Sequence, residues 1–233
     1  MTMLTSQRIL IGASGWLHSD WQEQFYPEDL PQDWQLAYYG NEFPVVLIRE
    51  QEWQQGEVEN WLDETDDLPL FIAELPLSDS QDVLHDAQVY LEKIRRLGER
   101  CIGIVCQLNV DIDTDDLAVL LKQCNALAPT CVESSEDLDM DNELAAPLKK
   151  ILQDNAVNVV SKNKVEISHV VGGLILINIS SDGLDLKNLR QAMDSLLQYE
   201  NKEGKEYQLV LLLKGEPPST EMMKQAKVLL ELL

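Results

Sequence analysis

The sequence predicts a parallel α/β fold, a single compact (β/α)8 barrel that takes up residues 1–233 as one domain. Eight near-continuous apolar runs alternate along the chain with amphipathic segments. Unbroken apolar runs are typical of strands whose two faces are both covered, and their alternation with helices indicates a parallel sheet. Eight such units in 233 residues favour a closed barrel over an open sheet, because these barrels need about 250 residues.

Four strands are predicted in the first half of the chain, each from a short apolar run rich in β-branched residues. Proline is tolerated at position 44 because Pro44 lies at the start of its strand. The runs are Ile9–Ile11, which ends at Gly12, then Phe43–Ile48, Leu70–Glu74 and Cys101–Cys106.

The helices of the first half are predicted from apolar residues spaced three or four positions apart. One begins near Gln32, after the aromatic-rich loop Ser14–Pro31, and another contains Val58 and Trp61. A longer helix is capped by Asp79-Ser80 and stopped by Gly98, where a left-handed residue is usual. Its apolar residues are Val83, Leu84, Ala87, Leu91, Ile94 and Leu97.

The second half of the chain repeats the pattern with one interruption. Residues 161–170 are too few and too β-branched for a full helix, so we expect an irregular connection after the sixth strand. The strands predicted here are Thr130–Glu133, Val157–Val160, Leu174–Ile179 and Gln208–Leu213. Helices are predicted to follow Thr114, the capping residue Asp141, Asp185 or a residue near it, and Ser219.

The turn after the first strand invites two other interpretations. Its residues, Gly12-Ala-Ser-Gly-Trp16, lack the G-x-G-x-x-G spacing of a dinucleotide-binding fold, and Trp16 stands where a small residue is needed. The same residues fail the G-x-S-x-G spacing of a nucleophile elbow. An open dinucleotide-binding sheet is therefore the less favoured fold, and Ser14 is interpreted as a turn residue.

Net charge restricts the class of partner. The chain carries 41 acidic and 18 basic residues, a net charge of −23, and its short basic clusters include Lys149-Lys150 and Lys162 with Lys164. Binding of nucleic acid depends on basic side chains that displace counterions from phosphates. We therefore expect neither nucleic acid nor an anionic membrane as partner, but an unknown small molecule or protein. With no spanning apolar run and no secretory signal, the expected location is cytoplasmic.

Cysteine and histidine spacing predicts neither disulfides nor a metal centre, and no cofactor is expected. No C-x-x-C motif occurs among Cys101, Cys106, Cys124 and Cys131, so we interpret all four as reduced and mostly buried, with a reactive thiol as the minor alternative. Cys101 and Cys106 lie an odd number of residues apart in one strand, which predicts that they face opposite sides of the sheet. The three histidines fall in unrelated segments, whereas a metal site needs three converging ligands.

The aromatic residues near the N-terminus carry a family resemblance. The residues of this pattern are Ile11-Gly-Ala-Ser-Gly-Trp16, Trp21, Phe25-Tyr-Pro27, Leu30-Pro31, Trp34, Tyr38-Tyr39 and Phe43. The pattern resembles the opening signature of the YecE-like family, domain of unknown function 72, whose members are TIM barrels without an established activity. The resemblance implies that any site lies at the C-terminal ends of the strands, as in other TIM barrels.

Compared with the family pattern, this chain has lost several charged strand-end residues. The family's Val-Glu-x-Arg corresponds to Val132-Glu-Ser-Ser135, and its Arg-x-His corresponds to Leu176-Ile-Asn178. Leu47 and Arg49 stand for a Glu and an Asn, Ser161 for an Asp, and Leu213-Lys-Gly215 for Phe-Asn-Asn. The resemblance thus implies a degenerate member that binds or interacts with little or no catalysis; the alternative is a hydrolase-like enzyme acting on a phosphoester or a sugar.

Polar residues at the predicted strand ends form the candidate site. They are Arg49, Glu74, Gln107, Asn109, Glu133, Lys162, Asn178 and Lys214. Glu74 and Glu133 are candidate catalytic residues, as a general acid/base pair, although pairing with Lys214, Lys162 or Arg49 is the favoured alternative. The candidate ligand-binding residues are Trp16, Arg49, Asn178 and Lys214. The aromatic loop either stacks on a ligand or, as we prefer, seals the barrel as a local core.

Overall fold

A computed structural model describes residues 8–76, 82–108, 113–134, 146–160, 167, 170–200 and 202–233. The described part of the chain contains eight strands, in agreement with the prediction. They are β1 (Leu10–Ser14), β2 (Val45–Ile48), β3 (Leu70–Leu75), β4 (Cys101–Leu108), β5 (Thr130–Ser134), β6 (Asn158–Val160), β7 (Leu174–Ser180) and β8 (Gln208–Lys214).

Helices follow most of the strands. They are α1 (Gln35–Glu42), α2 (Glu50–Gln55), α3 (Val58–Glu64), α4 (Val83–Leu97), α5 (Thr114–Asn125), α6 (Ala146–Asp154), α7 (Leu186–Leu197) and α8 (Thr220–Leu232). The helix starts predicted at Asp185 and Ser219 are confirmed, and the side chains of both residues cap their helices by accepting the backbone N–H groups of Asn188 and Met222. Asp82 caps α4, while the predicted caps Asp79-Ser80 and Asp141 lie outside the described residues.

Strand β1 and helix α2 differ from the prediction. Strand β1 runs through Gly12 to Ser14 instead of ending at Gly12. A Cβ atom at Gly12 would collide with the carbonyl oxygen of Val45, so a glycine lets β1 pack close to β2. The short helix α2 was not predicted, because its apolar content is a single buried tryptophan, Trp53.

The strands form one parallel sheet with the order β6-β5-β4-β3-β2-β1-β8-β7. This order closes a barrel in which β6 and β7 meet without a backbone ladder between their described residues. The side chain of Asn158 bridges that seam. Its Nδ2 donates to the carbonyl oxygen of Leu174 at 2.6 Å, and its Oδ1 accepts the N–H groups of Val171 and Gly172 at 2.8 and 2.9 Å.

The irregular connection after β6 is consistent with what the structure describes. The described residues between β6 and β7, namely 167 and 170–173, belong to no helix or strand. Residues 161–166 and 168–169, which include Lys162 and His169, lie outside the described part of the chain.

Alternating residues of the strands fill the barrel interior, and each of the eight strands contributes to this inner core. Its buried members are Leu10, Val45, Leu47, Ile72, Val105, Cys131, Val160, Leu174, Leu176, Val210 and Leu212. A second, larger cluster lies between the strands and the helices.

The prediction that Cys101 and Cys106 face opposite sides of the sheet is wrong. Both belong to the outer cluster between the strands and the helices. The pairing of β3 with β4 shifts register between Phe71 and Ile72, whose partners are Cys101 and Gly103. Ile102 is therefore one extra residue in β4, and such a bulge reverses the side on which the residues before it point.

The four cysteines are buried free thiols, as predicted. Burial raises the pKa of the Cys101 and Cys131 thiols to about 12. The reactive form of cysteine is the thiolate, so this environment supports the structural interpretation over the reactive alternative.

The aromatic loop after β1 packs as a local core. Trp21 is buried against Phe25 and lies parallel to Tyr39, with ring centroids 5.2 and 6.1 Å away. Its Nε1 donates to the carbonyl oxygen of Pro218, which ties the loop to the segment between β8 and α8. The Tyr39 hydroxyl accepts the N–H of Ala13 and donates to the carbonyl of Val45, joining the loop's core to β1 and β2.

Candidate functional site

The inward-facing positions of the strands turn from apolar to polar at the C-terminal mouth of the barrel. Two residues after the inner-core residues Ile72, Val105, Cys131, Leu176 and Leu212 come five polar side chains. They are Glu74, Gln107, Glu133, Asn178 and Lys214. Because side chains of a strand alternate between its faces, these five continue the inner column of the barrel. We call them the central network.

Glu133 is the centre of this network. Its carboxylate is 1% exposed and accepts hydrogen bonds at both oxygens. Lys214 Nζ lies 3.0 Å from Oε1 and 2.9 Å from Oε2, Gln107 Nε2 donates to Oε2 at 2.7 Å, and Asn178 Nδ2 donates to Oε1 at 3.1 Å. One ammonium and two amides, from β4, β7 and β8, therefore satisfy a buried acid on β5.

Glu74 joins the network through the same amide. Gln107 Nε2 donates its second proton to Glu74 Oε1 at 2.8 Å, so one nitrogen bridges the two predicted catalytic acids. Burial raises the pKa of Glu74, and the nearby Glu133 carboxylate raises it further, while the Gln107 amide and the Lys214 ammonium act in the opposite direction. The two glutamates thus occupy different environments. Glu74 is half-buried, whereas Glu133 is buried and hydrogen-bonded at both oxygens.

The raised pKa of Glu74 predicts a pH-dependent contribution to stability. A carboxyl group whose pKa is higher in the folded state favours folding while it is protonated, and this contribution is lost as the pH rises through the folded-state value. Starting from the ordinary pKa of 4.5, wild type should therefore lose stability towards neutral pH relative to Glu74→Gln. Urea denaturation of both proteins from pH 4 to pH 8 would measure this. A difference that stays constant over that range would contradict the assignment.

Asn178 leaves one atom of the network without a partner. The side chain is 2% exposed, and its Oδ1 has no hydrogen-bond partner among the described residues. A buried amide oxygen is costly to leave unpaired, so it marks a position where a donor from a ligand or a water would be stabilised.

A second group of polar residues lies on the rim, where the segments after β1, β2 and β8 meet. Arg49 donates from Nε and Nη2 to the buried Glu52 and from Nη1 to Glu216 Oε1 at 3.1 Å. His18 Nδ1 lies 3.6 Å from Glu216 Oε2. We call His18, Arg49 and Glu216 the rim group. The predicted ligand-binding residue Arg49 therefore pairs with acids of this chain.

The remaining predicted site residues lie elsewhere or outside the described residues. Trp16 is 2% exposed and packs edge-on against Trp61, with ring centroids 5.3 Å apart. These contacts favour the packing interpretation of the aromatic loop, and ligand binding by Trp16 stays a prediction. Asn109 and Lys162 lie outside the described residues. Throughout the described ranges, no three His, Cys, Asp or Glu side chains converge as a metal site requires.

Sequence reasoning did not identify Glu52, His18 and Glu216 as parts of the site. Glu52 is three residues after Arg49, and its carboxylate accepts the backbone N–H of Arg49 at the start of α2. That spacing is the detectable signal, but a capping box normally begins with Ser or Thr. His18 and Glu216 lie in loops, and only the folded chain brings them together.

Comparison with protein families and known structures gives the following matches. A family model described as "protein of unknown function DUF72" matches residues 10–170. The structure is similar to a crystal structure of a DUF72 family protein from Enterococcus faecalis V583, with a TM-score of 0.63 and 11% identity over 96% of each chain.

A crystal structure of a putative phosphonomutase from Burkholderia cenocepacia J2315 has a TM-score of 0.47 and 11% identity, over 96% of this chain and 92% of that one. At such identities the likeness concerns the fold alone. No curated protein matches the sequence. None of the helices in the described ranges is both long enough and apolar enough to cross a membrane.

Proposed function

The chain belongs to the DUF72 family, of unknown function, whose model covers residues 10–170, and we propose that it is a binding member of the family with little or no catalysis. The resemblance inferred from the residues between Ile11 and Phe43 is thus confirmed at the level of the family. The ligand would bind over the central network, at the C-terminal mouth of the barrel, where TIM-barrel sites lie.

This proposal rests on the observation that both carboxylate oxygens of Glu133 already accept hydrogen bonds from neighbouring side chains. A general base must offer a free lone pair within reach of the proton that it removes. Both oxygens of Glu133 are instead taken by Lys214, Gln107 and Asn178. The acid that the family resemblance retains in β5 is therefore engaged as the anchor of a network that crosses the mouth.

The groups that remain open suggest the chemistry of the ligand. Asn178 Oδ1 accepts no hydrogen bond from the described residues, and the Lys214 side chain is 31% exposed. Glu74 is half-buried, and its carboxylate accepts from the Gln107 amide and from the backbone N–H of Glu50. Together they offer acceptors for hydroxyl groups and one ammonium donor. A small polyhydroxylated molecule without a large negative charge would fit this set.

One observation favours the second candidate, a hydrolase-like enzyme acting on a phosphoester or sugar. Glu74 and Glu133 approach closely enough to share one amide nitrogen, and burial raises the pKa of Glu74. Two neighbouring carboxyl groups in different environments are the arrangement that acid/base hydrolysis uses.

The two candidates predict opposite results in one set of assays. Binding of the polyols myo-inositol and glycerol would be measured by calorimetry, and hydrolysis would be measured with 4-nitrophenyl phosphate and 4-nitrophenyl glycosides. For a binding protein, we expect no hydrolysis that depends on Glu74 or Glu133, and we expect Asn178→Leu, which removes the open acceptor, to weaken polyol binding. Hydrolysis by wild type that both Glu74→Gln and Glu133→Gln abolish would instead establish the enzyme. Polyol binding that is unchanged by Asn178→Leu would contradict the proposed ligand position.

A further inference from the structure

The rim group has the composition of a subsite for an anion. It combines a guanidinium and an imidazole, both largely buried, with a carboxylate that is 82% exposed. The central network does not include these residues, and no step of the proposed function uses them.

Arg49 is fixed in place before any ligand arrives. It follows β2, and its Nε and Nη2 donate to Glu52, which is fully buried. The guanidinium lies directly on Gly15, where a Cβ atom would overlap it. Only 15% of the Arg49 side chain is exposed, and its Nη1 is the end that reaches Glu216. A guanidinium held so rigidly loses little side-chain entropy when it binds an oxyanion.

Glu216 accepts a hydrogen bond from Arg49 Nη1, although its own side chain is mostly exposed to solvent. Its backbone segment is held from behind, because Trp21 Nε1 donates to the carbonyl of Pro218 and the N–H of Ser219 donates to Ser181 Oγ. Among the residues that the structure describes, the Glu216 side chain contacts Arg49 and His18, and 82% of it is exposed. Exposed ion pairs contribute little to stability, so a ligand can displace this carboxylate at small cost.

His18 determines which hydrogen-bonding group the ligand must present to this side of the site. Its Nε2 lies 2.9 Å from the carbonyl oxygen of Ser14, and since a carbonyl only accepts, Nε2 holds the proton. Burial and the neighbouring Arg49 lower the pKa of His18, so the ring is neutral at pH 7 and Nδ1 is an acceptor. The Glu216 oxygen that faces Nδ1, 3.6 Å away, is also an acceptor, which leaves that side of the site mismatched.

We propose that Arg49 and His18 form a binding subsite for a small oxyanion that carries its own hydroxyl group, and that Glu216 occupies this subsite when no ligand is bound. The oxyanion accepts from Arg49 Nη1, and the hydroxyl donates to His18 Nδ1. Hydroxycarboxylates and hydrogenphosphate share this chemistry. The subsite is separate from the central network, so its failure would leave the proposed polyol binding untouched.

Matched pairs of anions test the requirement for a hydroxyl. Glycolate and acetate differ by one hydroxyl group, and at pH 7 phosphate carries an O–H that sulfate lacks. In calorimetric titrations of Glu216→Ala, glycolate should bind about 2- to 10-fold more tightly than acetate, the effect of one hydrogen bond, if the natural ligand is a carboxylate. Preference for phosphate over sulfate without any glycolate binding would assign the ligand to the phosphate class. Equal binding within both pairs would overturn the proposal.

Variants of the rim group separate this inference from general anion binding. Glu216→Ala should bind the preferred anion about 2- to 5-fold more tightly than wild type, because no side chain competes for Arg49. Glu216→Gln should bind it more weakly than wild type, since its amide can accept from Arg49 and donate to His18 Nδ1 at once. His18→Phe keeps a ring against Trp21 and should bind both members of each pair equally. Binding by Glu216→Gln as tight as by Glu216→Ala would contradict the proposed occupancy.

Discussion

Replacing Trp21 with alanine is expected to lower the free energy of unfolding by about 3–5 kcal/mol, the range for truncating a large buried aromatic residue. The ring is fully buried and contacts Phe25, Tyr26 and Tyr39. Truncation would leave a cavity at the centre of the aromatic loop and would remove the hydrogen bond to Pro218. The loop after β1 and the segment between β8 and α8 would then lose the side chain that joins them.

Urea denaturation followed by circular dichroism would measure the effect of Trp21→Ala. Trp34→Ala is the matched control, because Trp34 belongs to the same signature but is 66% exposed, and substitutions of exposed residues usually change stability by less than about 0.5 kcal/mol. A loss below about 1 kcal/mol for Trp21→Ala would show that the loop does not depend on this ring.

Lys214→Met is expected to lower the free energy of unfolding by about 3 kcal/mol, at the lower end of the range for breaking a buried ion pair because Lys214 is partly exposed. The variant keeps the volume of the side chain but leaves the buried Glu133 carboxylate without its cation. Gln107 and Asn178 alone cannot offset the cost of burying that charge.

A double-mutant cycle identifies the source of this loss. Glu133→Gln combined with Lys214→Met removes both charges, and the double variant should recover part of the stability that Lys214→Met loses. If the losses of the two single variants simply add, Glu133 and Lys214 do not interact and the central network is incorrectly assigned.

The positions of the site residues could be predicted from the sequence because strands have a period of two. Once the apolar runs are aligned, Glu74, Gln107, Glu133, Asn178 and Lys214 follow as the next inward positions. The hypothesis that a lysine pairs with Glu133 is also correct for Lys214. The sharing of Gln107 between two acids was beyond prediction, because it depends on which side chains reach across the mouth.

Other features could not be predicted because their causes are not local in sequence. The bulge at Ile102 follows from the way β4 pairs with β3, and it reverses the expected side of Cys101. The sequence did not predict that Glu52, in the first turn of α2, accepts from Nε and Nη2 of Arg49, and ligand binding by Arg49 stays a prediction. The assignment of residues 1–233 to one domain stays a prediction.

The seam between β6 and β7 gives the barrel an uneven resistance to local unfolding. At the other seven junctions, separating two strands breaks a backbone ladder, whereas at this one the described bonds depend largely on the amide of Asn158. Local openings follow the interface with the fewest cooperative bonds. The barrel should therefore open transiently at this seam, which lies beside the strand that carries Asn178. Solvent would reach the inner core from that side first.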